Sequence, residues 1–390
     1  MQTFDRFLSF SCFSQAHRQF ILLCTGILSS FLLSSLLLKY LTEFCPLPRN
    51  VIQYYTPTQK SCRGDRHVVF MKVPKSGSTT LQNIFFRFGL SRDVKFMLPK
   101  RDNWLSKSRI IDRDDIFPNH AGQPFDILCN HIRYNRSDML RFTHNDTSRI
   151  AIIREPGSHL RSYLYYYHLA YLNLQQSPET DIVRKFLKHP EKHATKILSN
   201  PVSEWLSILP TANDTADSMK GFKDRLFQLD KDFKLILIME RMDESLVLMK
   251  RLLCWNLEDI IYIPRNVNHL YPRGHLNAAD KIRHERISRF DYVLYAHFSA
   301  KLDSIIDHSG EDFQDEVRFF KKILQSVKEF CANWRRKVGT SLRIDPSPWS
   351  QGFTVSSMSC LLLTYSELEI QNYVGLWQYG DIWETIHTHS

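Results

Sequence analysis

Apolar residues along this chain follow two rhythms. One is short and unbroken: Val68–Val73 (VVFMKV), Phe125–Cys129, Arg149–Ile153 (RIAII) and Lys234–Met239 (KLILIM) read as buried strands. The other spaces apolar side chains three and four apart, over Leu81–Phe88 (LQNIFFRF), His159–Leu174 and Glu244–Trp255 (ESLVLMKRLLCW), and predicts helices. Gly89 is expected to end the first helix, and Pro156 to stand in the first turn of the second. Strands that alternate with helices predict an α/β fold, a central mostly parallel sheet flanked by helices, with ligands at the carboxyl ends of the strands.

A third pattern lies at the N-terminus. Phe20–Leu38 is an uncharged run of 19 residues, preceded by Arg6, His17 and Arg18 and followed by Lys39. As a helix it extends about 29 Å, enough to span a hydrocarbon core. It is longer than the apolar region of a cleaved signal peptide and lacks a clear A-x-A site, so an uncleaved transmembrane signal-anchor is expected. Residues 1–19 then form a cytoplasmic tail and 39–66 a stem containing Pro46, Pro48 and Pro57. The catalytic domain is expected over 67–390, on the lumenal side.

Composition changes this picture little. The 43% hydrophobic and 24% charged fractions belong to a folded chain, and a net charge of +10 favours anionic partners. The Lys and Arg residues are scattered rather than interleaved with aromatics in a run, which argues against nucleic-acid binding. Sequons at Asn135, Asn145 and Asn213 agree with a lumenal address. So do six cysteines beyond the anchor (Cys45, Cys62, Cys129, Cys254, Cys331, Cys360), whose pairing the sequence leaves open. No C-x-x-C pair or other cluster of metal ligands is evident, and no metal is expected.

Two segments carry candidate chemistry. In Met71–Thr80 (MKVPKSGSTT) a strand feeds a turn of small and hydroxyl residues, and a helix follows. Backbone N–H groups at that helix start, its dipole and the Lys75 ammonium would converge on an anion, unless the segment is an ordinary turn capped by Ser or Thr. It is not a Walker A loop, because the lysine precedes the glycine. In Arg154–Ser162 (REPGSHLRS) a strand-end arginine and a serine two turns into the next helix can grip one phosphate together, although pairing of Arg154 with Glu155 is the plainer use. Asp243 and Glu244, at a helix start, read as capping residues.

Together, K-S-G-S-T-T after a first strand and R-x-P-x-x-x-x-x-S after a later one resemble the 5′- and 3′-phosphate sites of sulfotransferases that use the donor 3′-phosphoadenosine 5′-phosphosulfate (PAPS). More narrowly, segments 70–89, 127–139, 150–167 and 235–263 resemble the galactose-3-O-sulfotransferase family. The likeness runs over about residues 66–300, with a weaker echo near Cys360–Ile370. It implies a P-loop-like sulfotransferase fold and a Golgi membrane enzyme of type II topology. It also implies transfer of a sulfuryl group to a hydroxyl, the 3-OH, of terminal galactose on a glycolipid or glycoprotein. By the same resemblance Lys75 would contact the bridging oxygen and 5′-phosphate. Ser76, Gly77, Ser78, Thr79 and Thr80 would cradle that phosphate, Arg154 and Ser162 would hold the 3′-phosphate, and His131 would be the base.

Two positions depart from the family pattern. Asn130 and Pro74 stand where histidines often occur, and the V-P-K form resembles uronyl and heparan-type 2-O-sulfotransferases. A nucleotide kinase or NTPase is disfavoured by the missing Walker A loop, and an inactive binding module by the retained Lys75, His131, Arg154 and Ser162. Tyr163, Tyr165, Tyr166 and Tyr167 could offer stacking surfaces to a sugar, with helix packing as the alternative use of most of them. The last fifty residues, from Ser341, have no evident place in the fold.

Overall fold

Four parallel strands carry the site. They are β1 (Val68–Met71), β2 (Ile127–Leu128), β3 (Ser148–Ile153) and β4 (Leu235–Ile238), in the order β2-β1-β3-β4. Val68 pairs with Ile127 on one side and Ser148 on the other, and Ile150 pairs with Leu235. The strands are unbroken apolar runs because helices cover both faces of a parallel sheet; every residue of β1 and β4 is buried. This computed structural model describes residues 62, 64–119, 122–167, 181–190, 198–210, 218–264, 276–334 and 339–388. The chain divides at Thr56/Pro57, and all described residues belong to the second unit. The expected tail, anchor and most of the stem lie outside them, as do the Asn213 sequon and residues 168–174 of the second helix. Among the described residues no helix is long and apolar enough to cross a membrane.

The helices begin and end where local chemistry dictates, with two departures from expectation. Helix α1 (Ser78–Leu90) starts at Gly77, in the left-handed region (φ 75°) and without a side-chain cap, and runs through Gly89 rather than stopping there. A Cβ at Gly89 would lie 2.2 Å from Phe96 Cζ, so the glycine serves close packing and not termination. Helix α2 (Pro156–Tyr166) has Pro156 in its first turn as expected. Its cap is Glu155, whose carboxylate accepts from the Gly157 and Ser158 N–H groups. That role replaces the expected pairing of Glu155 with Arg154. Helix α3 (Pro201–Trp205) is short, and helix α4 (Met242–Leu253) follows β4. Asp243 and Glu244 lie in the first turn of α4 but do not cap it: Asp243 accepts from Tyr262 Oη, and Glu244 pairs with Arg241.

The C-terminal fifty residues do have a place. A two-stranded antiparallel hairpin, β5 (Ser341–Ile344) with β6 (Phe353–Ser356), leads through a short helix to α5 (Glu367–Tyr379), which packs on α1. Gln378 exchanges two hydrogen bonds with the Phe96 backbone (2.8 and 2.9 Å), and Trp383 lies so close to Gly375 that a Cβ there would meet its ring at 2.1 Å. Two disulfides secure the arrangement: Cys62–Cys254, and Cys331–Cys360, which ties this region to the preceding helix. Closing the 29-residue interval of the second restricts the unfolded chain by roughly 3–4 kcal/mol. Cys129 remains a buried free thiol.

Candidate active site

The carboxyl ends of β1, β2 and β3 meet around one polar centre. The chain leaves β1 through Lys72 and Val73, turns at Pro74–Gly77 and enters α1. Lys75 (φ 61°) and Gly77 (φ 75°) are both left-handed. For the lysine that conformation costs about 1–2 kcal/mol, the kind of strain found at functional turns. The loop is held from behind by His159, whose Nε2 donates to the Pro74 carbonyl (2.8 Å), and by Arg154, whose Nη1 donates to the Lys75 carbonyl (3.1 Å). Glycine suits position 77 by its left-handed φ, and a Cβ there would press on Met242 Cε at 3.2 Å.

The loop hydroxyls have separate tasks. Ser78 Oγ donates to the Val73 carbonyl (2.7 Å), closing the turn, and Thr79 Oγ1 donates to Glu367 (3.4 Å). Thr80 is buried in the first turn of α1. Ser76 is fully buried, and its Oγ has no hydrogen-bond partner among the described residues. An orphaned buried hydroxyl is costly unless a ligand uses it. It sits beside Lys75 and the first turn of α1, where the Thr80 N–H donates to the Gly77 carbonyl (3.1 Å) and the Ser78 and Thr79 N–H groups precede the first intrahelical bond. These donors suit an anionic phosphate. The Lys75 ammonium rests 3.2 Å from the Tyr166 ring centroid. Burial, then the charges of Arg154 and Lys72, push its pKa down to about 8, opposed by Glu367. Ser162, in the second turn of α2, is half-buried and makes none of the hydrogen bonds described at this site.

His131 follows β2, with its backbone bonded to a neighbouring loop: its N–H donates to the Asn103 carbonyl, and its own carbonyl accepts from Leu105 N–H. Its ring is almost fully enclosed. Nδ1 donates to the Lys72 carbonyl (3.1 Å), which leaves the Nε2 lone pair facing Lys72 Nζ at 3.3 Å. Burial, and then the Lys72 charge, pull the histidine down to about 3, so the ring is neutral at neutral pH with Nε2 as its basic atom.

Two charged groups complete this centre that the hydrophobic pattern does not announce. Lys72 is 1% exposed and lies 2.6 Å from Glu367 Oε1, which is itself 3.8 Å from His131 Nε2. Burial pulls the Lys72 ammonium down and the carboxylate opposes it. Burial alone would raise Glu367, but Lys72, His131 and hydrogen bonds from Lys72 and Asn103 hold it below the usual carboxylate range. Lys72 had a signal, an ammonium inside an otherwise apolar strand. Glu367 had none, since it arrives from the first turn of α5. Asn130, beside His131, points elsewhere: its Nδ2 donates to Gln371 (2.5 Å), also on α5.

The arrangement combines a turn of converging donors with a neutral imidazole whose Nε2 lies among charged groups. At the opposite end of the sheet, His67, His144 and Asp146 bring one ligand atom each to within 4.8 Å of one another. They are the described residues grouped so that they could hold a metal, and they lie away from this chemistry.

The family model for galactose-3-O-sulfotransferase matches residues 11–346. Mouse galactosylceramide sulfotransferase is 27% identical over 315 residues, covering 78% of this chain and 74% of its own. Mouse galactose-3-O-sulfotransferase 2 is 29% identical, over 60% of this chain and 61% of its own. Mouse galactose-3-O-sulfotransferase 3 is 25% identical, over 92% and 88%. Lys75, His131 and Arg154 therefore stand in a chain that belongs to the galactose-3-O-sulfotransferase family.

Proposed function

We propose that this protein transfers a sulfuryl group from PAPS to the 3-OH of a terminal galactose on a glycolipid or glycoprotein. The observation that carries the reading is the turn at Lys75: a half-buried ammonium and an orphaned Ser76 hydroxyl precede α1, and neutral His131 lies on the adjacent strand end. Lys75, Ser76 and the N–H groups at the start of α1 would hold the 5′-phosphate, with Arg154 and Ser162 on the 3′-phosphate. Bound there, the donor supplies an activated sulfuryl group.

His131 Nε2 takes the proton of the acceptor hydroxyl as its oxygen bonds to sulfur. The bond from sulfur to the bridging oxygen breaks, and Lys75 neutralises charge that grows on that oxygen. The imidazolium so formed is balanced by Glu367, which keeps two adjacent cations, Lys72 and His131, from standing alone. Each contribution is electrostatic and positional, as expected where little covalent chemistry falls to the protein.

Sulfate transfer from labelled PAPS to a galactose-terminated acceptor tests the reading. Lys75→Ala and His131→Ala should each lower kcat/KM by about 10²–10⁴. Unchanged activity in either refutes that residue's role. Thermal stabilisation by ATP-Mg²⁺ but not by 3′-phosphoadenosine 5′-phosphate (PAP) would turn the assignment toward a nucleotide kinase.

The same proposal places the enzyme in the Golgi membrane, anchored by residues 20–38 with 67–390 in the lumen. The uncharged run at 20–38 and two disulfides in the described region support that address. Protection of the domain from protease in sealed vesicles tests it, and digestion without detergent would refute it.

A further inference from the structure

We propose that Trp104 and Trp205 form the platform on which the acceptor sugar stacks, with the reacting hydroxyl directed at His131. The inference rests on the galactose-sulfating reading above and assigns it an acceptor site.

The three rings form a triangle. Trp104 lies 5.2 Å from His131 and 5.3 Å from Trp205, and Trp205 lies 5.6 Å from His131, all between ring centroids. Both tryptophans are only partly buried, whereas Trp255 and Trp383 are 3% and 2% exposed. Their indole groups differ as well. Trp255, Trp349 and Trp383 each donate Nε1–H to a protein oxygen. Trp104 and Trp205 donate theirs to no described residue, and both side chains are partly exposed. Packing thus explains the first three but not these two, which keep partly exposed rings, and an indole N–H unpaired among the described residues, beside His131.

The platform is also fixed in advance. Residues on either side of Trp104 bond to the His131 backbone (3.0 and 2.9 Å), so the first ring shares its register with the histidine. Trp205 ends α3, whose first turn is tied to buried Asp291 by Val202 and Ser203 N–H (3.0 and 2.7 Å), and its carbonyl accepts from Tyr134 N–H (2.9 Å). A prepaid ordering cost favours binding of a weakly held sugar. Beside Trp205, Glu204 lies 3.4 Å from Arg109 and 3.7 Å from Arg133, offering an acceptor and donors to sugar hydroxyls.

This chemistry suits a pyranose with one continuous apolar face. Galactose has it: the axial 4-OH leaves the C3, C4 and C5 hydrogens together on the opposite side. Stacked by that face, the ring keeps its 3-OH in its own plane, free to point at Nε2.

Steady-state kinetics of the full chain, with PAPS and a β-galactoside acceptor, test the platform. Trp104→Ala and Trp205→Ala should raise the acceptor KM about tenfold or more, while the PAPS KM stays within about twofold. Phe at either position should restore most of the loss. Unchanged acceptor KM in both alanine variants overturns the proposal. So does an equal loss of PAP binding in thermal shift, since that marks a structural role. If the wild type sulfates no galactoside, the functional reading fails instead. The platform is then decided by tryptophan fluorescence with methyl β-galactoside: a change lost in Trp104→Ala supports it, and no change overturns it.

Discussion

The two ends of the parallel sheet treat histidine and charge in opposite ways. At the amino end, His67 and His144 stack face to face (3.8 Å between centroids), and both Nε2 atoms approach Asp126 (3.3 and 3.1 Å). His67 Nδ1 also meets Asp146 at 2.7 Å, and Lys234 and Ser148 both meet Asp65 at 2.6 Å. Each imidazole there, like Lys234, has a carboxylate beside it, and the groups are partly solvated. At the carboxyl end Lys72 and His131 are nearly enclosed, and partly exposed Lys75 and Arg154 gather beside them. One carboxylate, Glu367, pairs closely with them, and Glu240 approaches Arg154 only to 4.0 Å. A protein seeking stability alone satisfies its polar groups, as the amino end does. An excess of partly buried positive charge is tolerated where an anion is to be bound and charge is to move.

That contrast can be broken experimentally, beginning with its most exposed link. Glu367→Gln leaves Lys72 and the imidazolium of His131 unbalanced, and kcat should fall by about 10²-fold with little change in the PAPS KM. Glu367→Asp, retaining the charge, should recover part of that loss. A glutamine variant with normal kcat would show that the carboxylate serves folding only.

A smaller effect tests Lys75 through its charge. With its pKa pushed down to about 8, the ammonium is present below that pH and lost above it. PAP affinity, measured calorimetrically from pH 7 to 10, should weaken as pH rises through about 8. Lys75→Arg should hold its affinity across that range. A flat wild-type profile would remove Lys75 from the phosphate contacts.

Acid should destabilise the protein through the buried histidines. His131 is held near 3 and His159 and His284 near 4 by burial, below the ordinary histidine value. The folded state therefore resists protons that the unfolded chain takes up below about pH 6.5. Stability is full above that pH and declines as pH falls toward the folded values, by at most about 1.4 kcal/mol per pH unit for each histidine. Thermal unfolding at pH 7 and pH 5 measures the slope, and His131→Asn should flatten it.

The smallest effect is expected at the other end. His144→Ala removes a half-exposed ring and one contact to Asp126, and should change stability by about 1 kcal/mol or less with sulfate transfer intact. A loss of transfer there would abolish the distinction between the two ends.

Much of the fold was legible because strand runs and helix spacing are local properties. VVFM, IAII and LILI became strands, and the helices after them began within a few residues of the expected positions. The helix start at Ser78 and the continuation through Gly89 were not, since Phe96 decides the latter by packing against a residue seven positions earlier. The aromatic roles were also redistributed. Tyr166 lies under Lys75, Tyr165 packs against the core formed by α2 and its neighbours, and the rings beside His131 are tryptophans.

By itself the sequence determined the strand–turn–helix at Lys75 and the strand-end Arg154, because each lies within one short segment, whereas the candidacy of His131 came from the resemblance of segment 127–139 to the family. Only the tertiary structure decided what surrounds them. Lys72, His131 and Glu367 are 59 and 236 positions apart along the chain, yet meet within 3.8 Å. The two cysteine pairs and the gathering of Trp104 and Trp205 around His131 were likewise settled by folding. The reason is physical: a propensity is a property of neighbours in sequence, whereas desolvation and Coulomb energy depend on distance in space, which chain position does not encode.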